Sequence, residues 1–287
     1  MDWILEEKQE KNYYLNIRQF GSGAFEAVMK LVKPMQAEMT EAIVEGRPVT
    51  SPWDKPVAFT KLTDEEQAAK AKVNHDRALR RATQNIRWLC KAMEADRLFT
   101  LTYRKNVEDR DQVRADFQEF LRLVRKQIPD WQYVAVLEKQ DRGAFHIHCA
   151  VKGFQRIKYL RKCWYLAIGG SGDETGDATP GNVDVTSPQK RWGSGVREWA
   201  TDKLCRYLTK YLAKTFDESL AEKRRYWAAK GIDRPAPRRT WVGGSNIFDA
   251  IKSCLDTLYF DCGLSGVDFD WWISPQNDSL WIAGRAT

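Results

Sequence analysis

The chain has 287 residues, with 46 lysines and arginines against 39 aspartates and glutamates, which gives a net charge of +7. The basic surplus is concentrated between residues 187 and 240, where 14 basic residues stand against 6 acidic ones, so we expect a polyanion as partner. No apolar run approaches the roughly 20 residues that span a bilayer. No secretory leader opens the chain, so we expect a cytoplasmic protein that does not enter a membrane.

The composition of the two ends differs from that of the middle. Residues 1–60 mix aromatic residues with glycine and proline breakers, which predicts an N-terminal extension with short helices over roughly 24–45. Thr63 and Glu66 form a capping-box pattern, and a long helix is expected from there to about residue 95. Residues 216–287 predict a basic linker followed by an aromatic C-terminal appendage. The domain expected to carry chemistry is therefore 61–215.

The middle of the chain alternates between strand and helix patterns. Strands are predicted at 98–103, 131–138, 144–151 and 183–186, with helices near 109–127 and 155–167. This order is the split βαβ, ferredoxin-like arrangement. We therefore predict an α+β fold in which an antiparallel sheet carries helices on one face.

Two of the three histidines lie one residue apart in the strand 144–151. Side chains of a strand alternate between its faces, so His146 and His148 share one face. The connection from Lys139 to Gly143 predicts a hairpin with the preceding strand. If it closes symmetrically, Glu138 lies opposite Ala144, with His146 on the diagonal about 7–8 Å away. One carboxylate and two imidazoles at this distance predict a site for a divalent cation, and mixed nitrogen and oxygen ligands suit Mg²⁺, Mn²⁺ or Zn²⁺.

A helix predicted over 196–214 combines an apolar stripe with a basic sector. Tyr207 and Tyr211 are four residues apart and fall between the two sectors. Each ring can therefore rest on the core while its hydroxyl reaches a basic cleft. A phenol oxygen can attack a phosphodiester and form a covalent phosphotyrosine. The sector beside the rings contains Lys203, Lys210 and Lys214.

Each of these features also has a purely structural interpretation. A histidine pair on a strand is often incidental, tyrosines at this spacing often pack in a core, and lysines on a helix often form a solvated face. What favours a catalytic site is the joint occurrence, in order, of the carboxylate, the two histidines and the Tyr/Lys helix.

Three segments together resemble the motifs of the HUH endonuclease superfamily. They are LFTLTY at 98–103, the E-x7-H-x-H pattern that begins at Glu138, and the Tyr-x-x-Lys-Tyr-x-x-Lys pattern that begins at Tyr207. The doubled tyrosine is similar to that of two-tyrosine rolling-circle replication initiators of single-stranded DNA phages and plasmids. The resemblance covers about residues 95–214.

The resemblance implies a palm-like sheet and metal-dependent nicking of single-stranded DNA at a replication origin in a bacterial host cell. A tyrosine would form a 5′-phosphotyrosine link and release a 3′-OH that primes synthesis. The implied cofactor is Mg²⁺ or Mn²⁺, held by Glu138, His146 and His148. The implied catalytic residues are Tyr207, Tyr211, Lys210 and Lys214. Because no G-x-x-x-x-G-K-[ST] motif is present, a host helicase, together with a host polymerase, is the expected partner.

Two other classes of function stay open at this point. One is a single-strand transposase or plasmid relaxase of the same superfamily, although relaxases commonly use three histidines where this chain offers Glu138. The other is a non-catalytic ferredoxin-like module that binds nucleic acid. The order in which the two tyrosines act is also open.

Overall fold

The computed structural model describes residues 11–32, 63–186, 200–214, 226–264, 268–274 and 279–285. The chain divides into two compact units: a central unit of residues 62–234, and a terminal unit formed by Met1–Lys61 together with Pro235–Thr287. The described elements are, in chain order, β1 (Lys11–Gln19), β2 (Ala24–Leu31), α1 (Asp64–Ala92), β3 (Arg97–Tyr103), α2 (Arg110–Val124), β4 (Val134–Lys139), β5 (Phe145–Val151), α3 (Ile157–Ala167), β6 (Gly181–Thr186), α4 (Ala200–Lys214), β7 (Tyr226–Ala228), β8 (Arg238–Gly244), α5 (Ile247–Asp256), β9 (Asp268–Ser274) and β10 (Ser279–Arg285).

The central unit is built on a five-stranded sheet in the order β6-β3-β5-β4-β7. Every neighbouring pair in it is antiparallel. Strands β3 to β6, with α2 and α3 between them, follow the strand, helix, strand, strand, helix, strand order. The α+β class and the ferredoxin-like topology predicted from the sequence are therefore confirmed.

Helices α2 and α3 cover one face of this sheet, as predicted. Alternate residues of the strands, such as Phe99, Leu101 and Ile147, point into a core shared with Phe117 and Trp164 of these two helices. A second pair of helices, α1 and α4, packs on part of the opposite face. The predicted single helix layer thus describes the β3 to β6 core alone, and the additional layer brings α4 close to the histidine strand.

Helix α1 begins as the sequence predicts. The hydroxyl of Thr63 accepts a hydrogen bond from the backbone N–H of Glu66, and the Glu66 carboxylate accepts one from the N–H of Thr63. This reciprocal cap satisfies donors that a helix start leaves unpaired. Within the described part of the chain, neither this helix nor any other is long and apolar enough to cross a bilayer.

The β4-β5 hairpin closes in a different register from the one predicted. Glu138 pairs directly with His146, not with Ala144. The reason is a turn of three residues in place of five. The N–H of Gln140 donates to the Ala144 carbonyl at 2.8 Å, and Gly143 adopts a φ of 90°. A glycine in the left-handed region is what a three-residue hairpin loop requires.

The terminal unit contains the second sheet, in the order β8-β1-β2-β10-β9, with α5 packed on one face. The short helices predicted over roughly 24–45 are wrong for the described part of that range, because residues 24–31 form β2. Phe25, Ala27 and Met29 point alternately into the core of this unit, so pairing and burial override the helix-forming composition. Residues 33–45 lie outside the described part, as do residues 216–225 of the predicted basic linker.

Candidate functional site

The hairpin β4-β5 brings the three predicted metal ligands together. Glu138, His146 and His148 each offer a ligand atom, and these atoms all lie within 4.8 Å of one another. The direct pairing of Glu138 with His146 places them one strand spacing apart, and His148 is the diagonal neighbour. The true register therefore produces a tighter cluster than the predicted one. The donor set of one carboxylate and two imidazoles fits a divalent cation.

His148 is the most constrained of the three ligands. It is buried, its Nε2 lies 2.7 Å from a carboxylate oxygen of Glu138, and its Nδ1 lies 3.2 Å from the hydroxyl of Thr100 on β3. If Nδ1–H donates to Thr100, the Nε2 lone pair points toward Glu138 and is available to a cation. Strand β3 thus fixes the orientation of a ligand that belongs to β5.

His146 is half-buried and has its own polar neighbour. Its Nδ1 lies 3.1 Å from the side-chain amide of Gln140, and the amide oxygen of Gln140 accepts from Arg142 at 3.0 Å. Burial lowers the pKa of both His146 and His148, and the neighbouring His148 ring lowers the pKa of His146 further. Both imidazoles are therefore neutral near pH 7, which is the state that binds a metal ion.

The two predicted nucleophiles meet this cluster. The hydroxyl of Tyr211 donates to the hydroxyl oxygen of Tyr207 at 2.6 Å. The Tyr211 ring stacks on His148 with 4.4 Å between centroids, and Tyr207 stands edge-on to the same imidazole at 5.9 Å. Burial raises the pKa of the Tyr211 hydroxyl, and the bond to Tyr207 adds to this effect. Tyr207 is 38% exposed, so its oxygen is open to a ligand from solution.

Helix α4 is held in this position by its opposite stripe. Leu204, Leu208 and Leu212 are buried against α1 and the site-bearing face of the sheet. At the start of α4, Asp202 forms an ion pair of 3.1 Å with Lys91, which is only 2% exposed. The predicted buried stripe of this helix is therefore confirmed, and its spacing explains why both tyrosine rings face the histidines.

The lysines of the predicted site are not part of the same contact network. Lys210 is exposed on α4, and among the described residues no hydrogen bond or ion pair joins it to the cluster. It follows Tyr207 by one turn, so it lies on the tyrosine side of the helix surface. Lys214 ends α4, but its side chain lies outside the described part of the structure.

Two residues of the site were missed in the sequence. Thr100 lies in the LFTLTY strand, for which only a strand pattern was predicted, and Gln140 follows Glu138 by two residues. Both could have been found from strand parity. In LFTLTY the apolar residues alternate with Thr100 and Thr102, which places the two hydroxyls on one face, and Gln140 shares the face of Glu138.

The structure thus places a candidate metal cluster, two phenols and an orienting threonine on one sheet face and one helix. Residues 96–216 match a family model described as a replication-associated protein of the ORF2 type. No curated protein and no solved structure gives a significant match to the chain. The matched segment contains β3 to α4, and hence both the hairpin ligands and the tyrosine pair. This segment of the chain therefore belongs to the ORF2-type replication-associated protein family, which confirms the resemblance to rolling-circle replication initiators.

Proposed function

We propose that the protein is a metal-dependent single-stranded DNA endonuclease and strand transferase that initiates rolling-circle replication. The observation that carries this proposal is the position of the phenol pair. Two tyrosine hydroxyls lie 2.6 Å apart, and one ring stacks on an imidazole of a cluster that offers three metal ligands. A replication-associated family gives this geometry a substrate, namely the DNA of an origin.

Glu138, His146 and His148 are the residues that would hold the cation, for which Mg²⁺ and Mn²⁺ are our proposal. When bound, such an ion supplies a Lewis acid that polarises a phosphoryl oxygen. Glu138 brings a negative charge to the site, while burial keeps the two rings neutral. One charged and two neutral ligands leave a divalent ion with a net positive charge, which attracts a phosphodiester.

The chemical step begins at the more exposed phenol. The Tyr207 oxygen attacks phosphorus and its proton passes to solvent, the bond from phosphorus to the 3′ oxygen breaks, and that oxygen takes up a proton. The products are a 5′-phosphotyrosine and a free 3′-OH. The hydrogen bond that Tyr211 donates to the Tyr207 oxygen stabilises negative charge on this oxygen at the moment of attack.

A second phenol in the same site permits a second cut without loss of the first link. After synthesis from the 3′-OH regenerates the origin, Tyr211 can cleave it, and the new 3′-OH can attack the first phosphotyrosine and seal a circle. The lysines at 210 and 214 are proposed to hold backbone phosphates or to neutralise the developing charge. Strand separation and synthesis would come from a host helicase and a host polymerase.

The test is formation of a covalent adduct. The protein is incubated with single-stranded origin oligonucleotides and Mn²⁺, and the products are separated under denaturing conditions. We expect a denaturation-resistant adduct that disappears in the Tyr207→Phe/Tyr211→Phe double variant while DNA binding persists. The matched control is Tyr259→Phe, since Tyr259 is 52% exposed in the terminal unit and its loss should leave the yield unchanged. Full yield from the double variant would refute the assignment of the nucleophiles.

A second variant separates a catalytic from a structural role of the histidines. We expect His146→Ala to remove cleavage with little loss of DNA affinity, because His146 is half-buried and lies at the edge of the cluster. The melting temperature is measured alongside the adduct. If His146→Ala unfolds the protein, or if it cleaves at the parental rate, the proposed metal-ligand role is wrong.

A further inference from the structure

The sheet of the terminal unit has one face that no described helix covers. Tyr13, Leu15 and Ile17 of β1 are almost fully buried against the core that contains α5. The residues between them point the other way. The register extends this second face across all five strands, and we name it the open face. It is not part of the tyrosine site, which lies in the central unit.

Aromatic side chains lie at both sides of the open face. Trp241 on β8 pairs with Tyr14 on β1, and their rings are 5.2 Å apart in an edge-on contact. On the other side Trp272 of β9 pairs with Trp281 of β10. Trp241 is 51% exposed and Trp272 is 60% exposed. Indole rings left this open to water contribute little to the stability of the unit, since their apolar area is not removed from solvent.

Polar and basic residues separate these aromatic pairs. Asn16 and Lys30 lie beside Tyr14, and Arg239 lies opposite Asn16. Ser274 and Ser279 form the neighbouring pair at the β9 side. Arg239 and Lys30 are both exposed. The open face is therefore not one continuous apolar patch, as a stable protein interface would show at its centre, but a set of rings with cations between them.

We propose that the open face binds single-stranded nucleic acid by stacking bases on Trp241 and Trp272 while Lys30 and Arg239 contact phosphates. Aromatic rings presented on an uncovered antiparallel sheet, with basic side chains between them, are the arrangement that sequence-tolerant single-strand binding uses. The charge on the rings' polar neighbours complements a polyanion, and the exposed acidic residue on this face is Asp270 at its edge. This surface would hold flanking strand independently of the cleavage chemistry.

Strand β9 provides a matched pair of variants for the test. Trp271 and Trp272 are adjacent, are 62% and 60% exposed, and point to opposite sides of the sheet. Trp272 pairs with Trp281 of the open face, whereas Trp271 pairs with Ile282 of the core side. Neither tryptophan belongs to a buried cluster of its unit, so each can be replaced by alanine with little effect on folding. Only the Trp272 change removes a stacking surface from the open face.

The experiment measures the affinity of the full chain for a labelled oligothymidylate by fluorescence anisotropy. EDTA is present, so that no cleavage occurs. We expect Trp272→Ala and Trp241→Ala each to weaken binding roughly 5- to 150-fold, the range for one lost stacked base, and Trp271→Ala to change it less than about twofold, since it removes no stacked base. Arg239→Ala should reduce the salt dependence of binding by about one phosphate contact.

Two results would overturn the inference. One is equal affinity of the Trp271→Ala and Trp272→Ala variants at equal melting temperature. The other is an unchanged affinity of Trp272→Ala combined with a change in sedimentation, which would make the open face a contact between copies of the chain. The Tyr207→Phe/Tyr211→Phe variant should keep full affinity here, so the failure of this inference and the failure of the proposed function are distinguishable.

Discussion

Replacement of Thr100 by valine tests whether β3 orients the metal ligand His148. The Thr100 hydroxyl lies 3.2 Å from Nδ1 of His148, and His148 is only 4% exposed, so water is not available to replace this partner. Valine keeps the branched shape of threonine and its preference for strands. The substitution therefore removes one hydrogen bond from the ring while the strand pairing and the ring's packing are kept.

The expected magnitude follows from the role of such a contact. Loss of a partner that orients a ligating histidine typically lowers metal affinity roughly 10- to 100-fold, which corresponds to about 1.4–2.8 kcal/mol. The free energy of unfolding should fall by less, about 0.5–1.5 kcal/mol for one hydrogen bond. The loss should therefore appear mainly in metal binding. Raising the Mn²⁺ concentration should restore adduct formation, since the ligands themselves remain.

Thr102→Val is the matched control for this experiment. Thr102 lies on the same strand and the same face, one residue pair away, and pairs with Asn182 of β6 and not with the histidine strand. Mn²⁺ affinity is measured by isothermal titration calorimetry for both variants and for the parent. Equal affinities of the Thr100→Val and Thr102→Val variants would refute the reasoning that the hydroxyl of Thr100 orients His148.

Three further predictions concern the order of the tyrosines, pH and the hairpin turn. Tyr207→Phe should lower the first-cleavage adduct at least tenfold and Tyr211→Phe much less, because Tyr207 is exposed while burial raises the pKa of Tyr211; mapping the modified tyrosine by mass spectrometry after a single turnover would show the reverse if the order is wrong. Mn²⁺ affinity should be nearly constant from pH 8 to about 6.5 and should fall only below that, because burial lowers the pKa of both site histidines and protons compete with the metal only at lower pH; a decline that begins above pH 7 in calorimetric titrations would contradict this. Gly143→Ala should lower the free energy of unfolding by more than the roughly 1–2 kcal/mol of left-handed strain that it shares with Gly153→Ala, because a Cβ at 143 meets a carboxyl carbon at 2.7 Å while none lies near 153; equal melting temperatures of the two variants would exclude the steric contribution.

Strand parity and helix spacing account for the parts of the site that were predicted correctly in position. A period of two places His146 and His148 on one face whatever lies beside them. A separation of four residues places Tyr207 and Tyr211 on one side of a helix. These relations are local, so they hold before any tertiary contact forms. They do not determine which neighbour the shared face meets.

The register of the hairpin shows where local patterns were insufficient. A five-residue connection and a three-residue turn both fit the letters from Lys139 to Ala144. The choice depends on Gly143 entering the left-handed region and on the pairing of Gln140 with Ala144. The three-residue turn places Glu138 directly beside His146, which is the closer arrangement for a shared cation.

The terminal unit was the least predictable part of the chain, because its strands are paired over large sequence separations. Tyr13 of β1 lies opposite Val242 of β8, and β2 lies between β1 and β10. A segment such as residues 24–31, rich in helix-forming residues, becomes a strand only because partners on both sides complete its backbone hydrogen bonds and bury its alternate side chains.

The sequence by itself determined the class of the fold, the faces on which the histidines and tyrosines lie, and the family of the segment that carries them. Tertiary structure alone decided that Thr100 meets His148, that Tyr211 stacks on the same ring, and that an aromatic face of the terminal sheet stays uncovered by the described helices. The physical reason is that periodicity sets the direction of a side chain from its own backbone, whereas its neighbours depend on which distant strands and helices pack against that backbone.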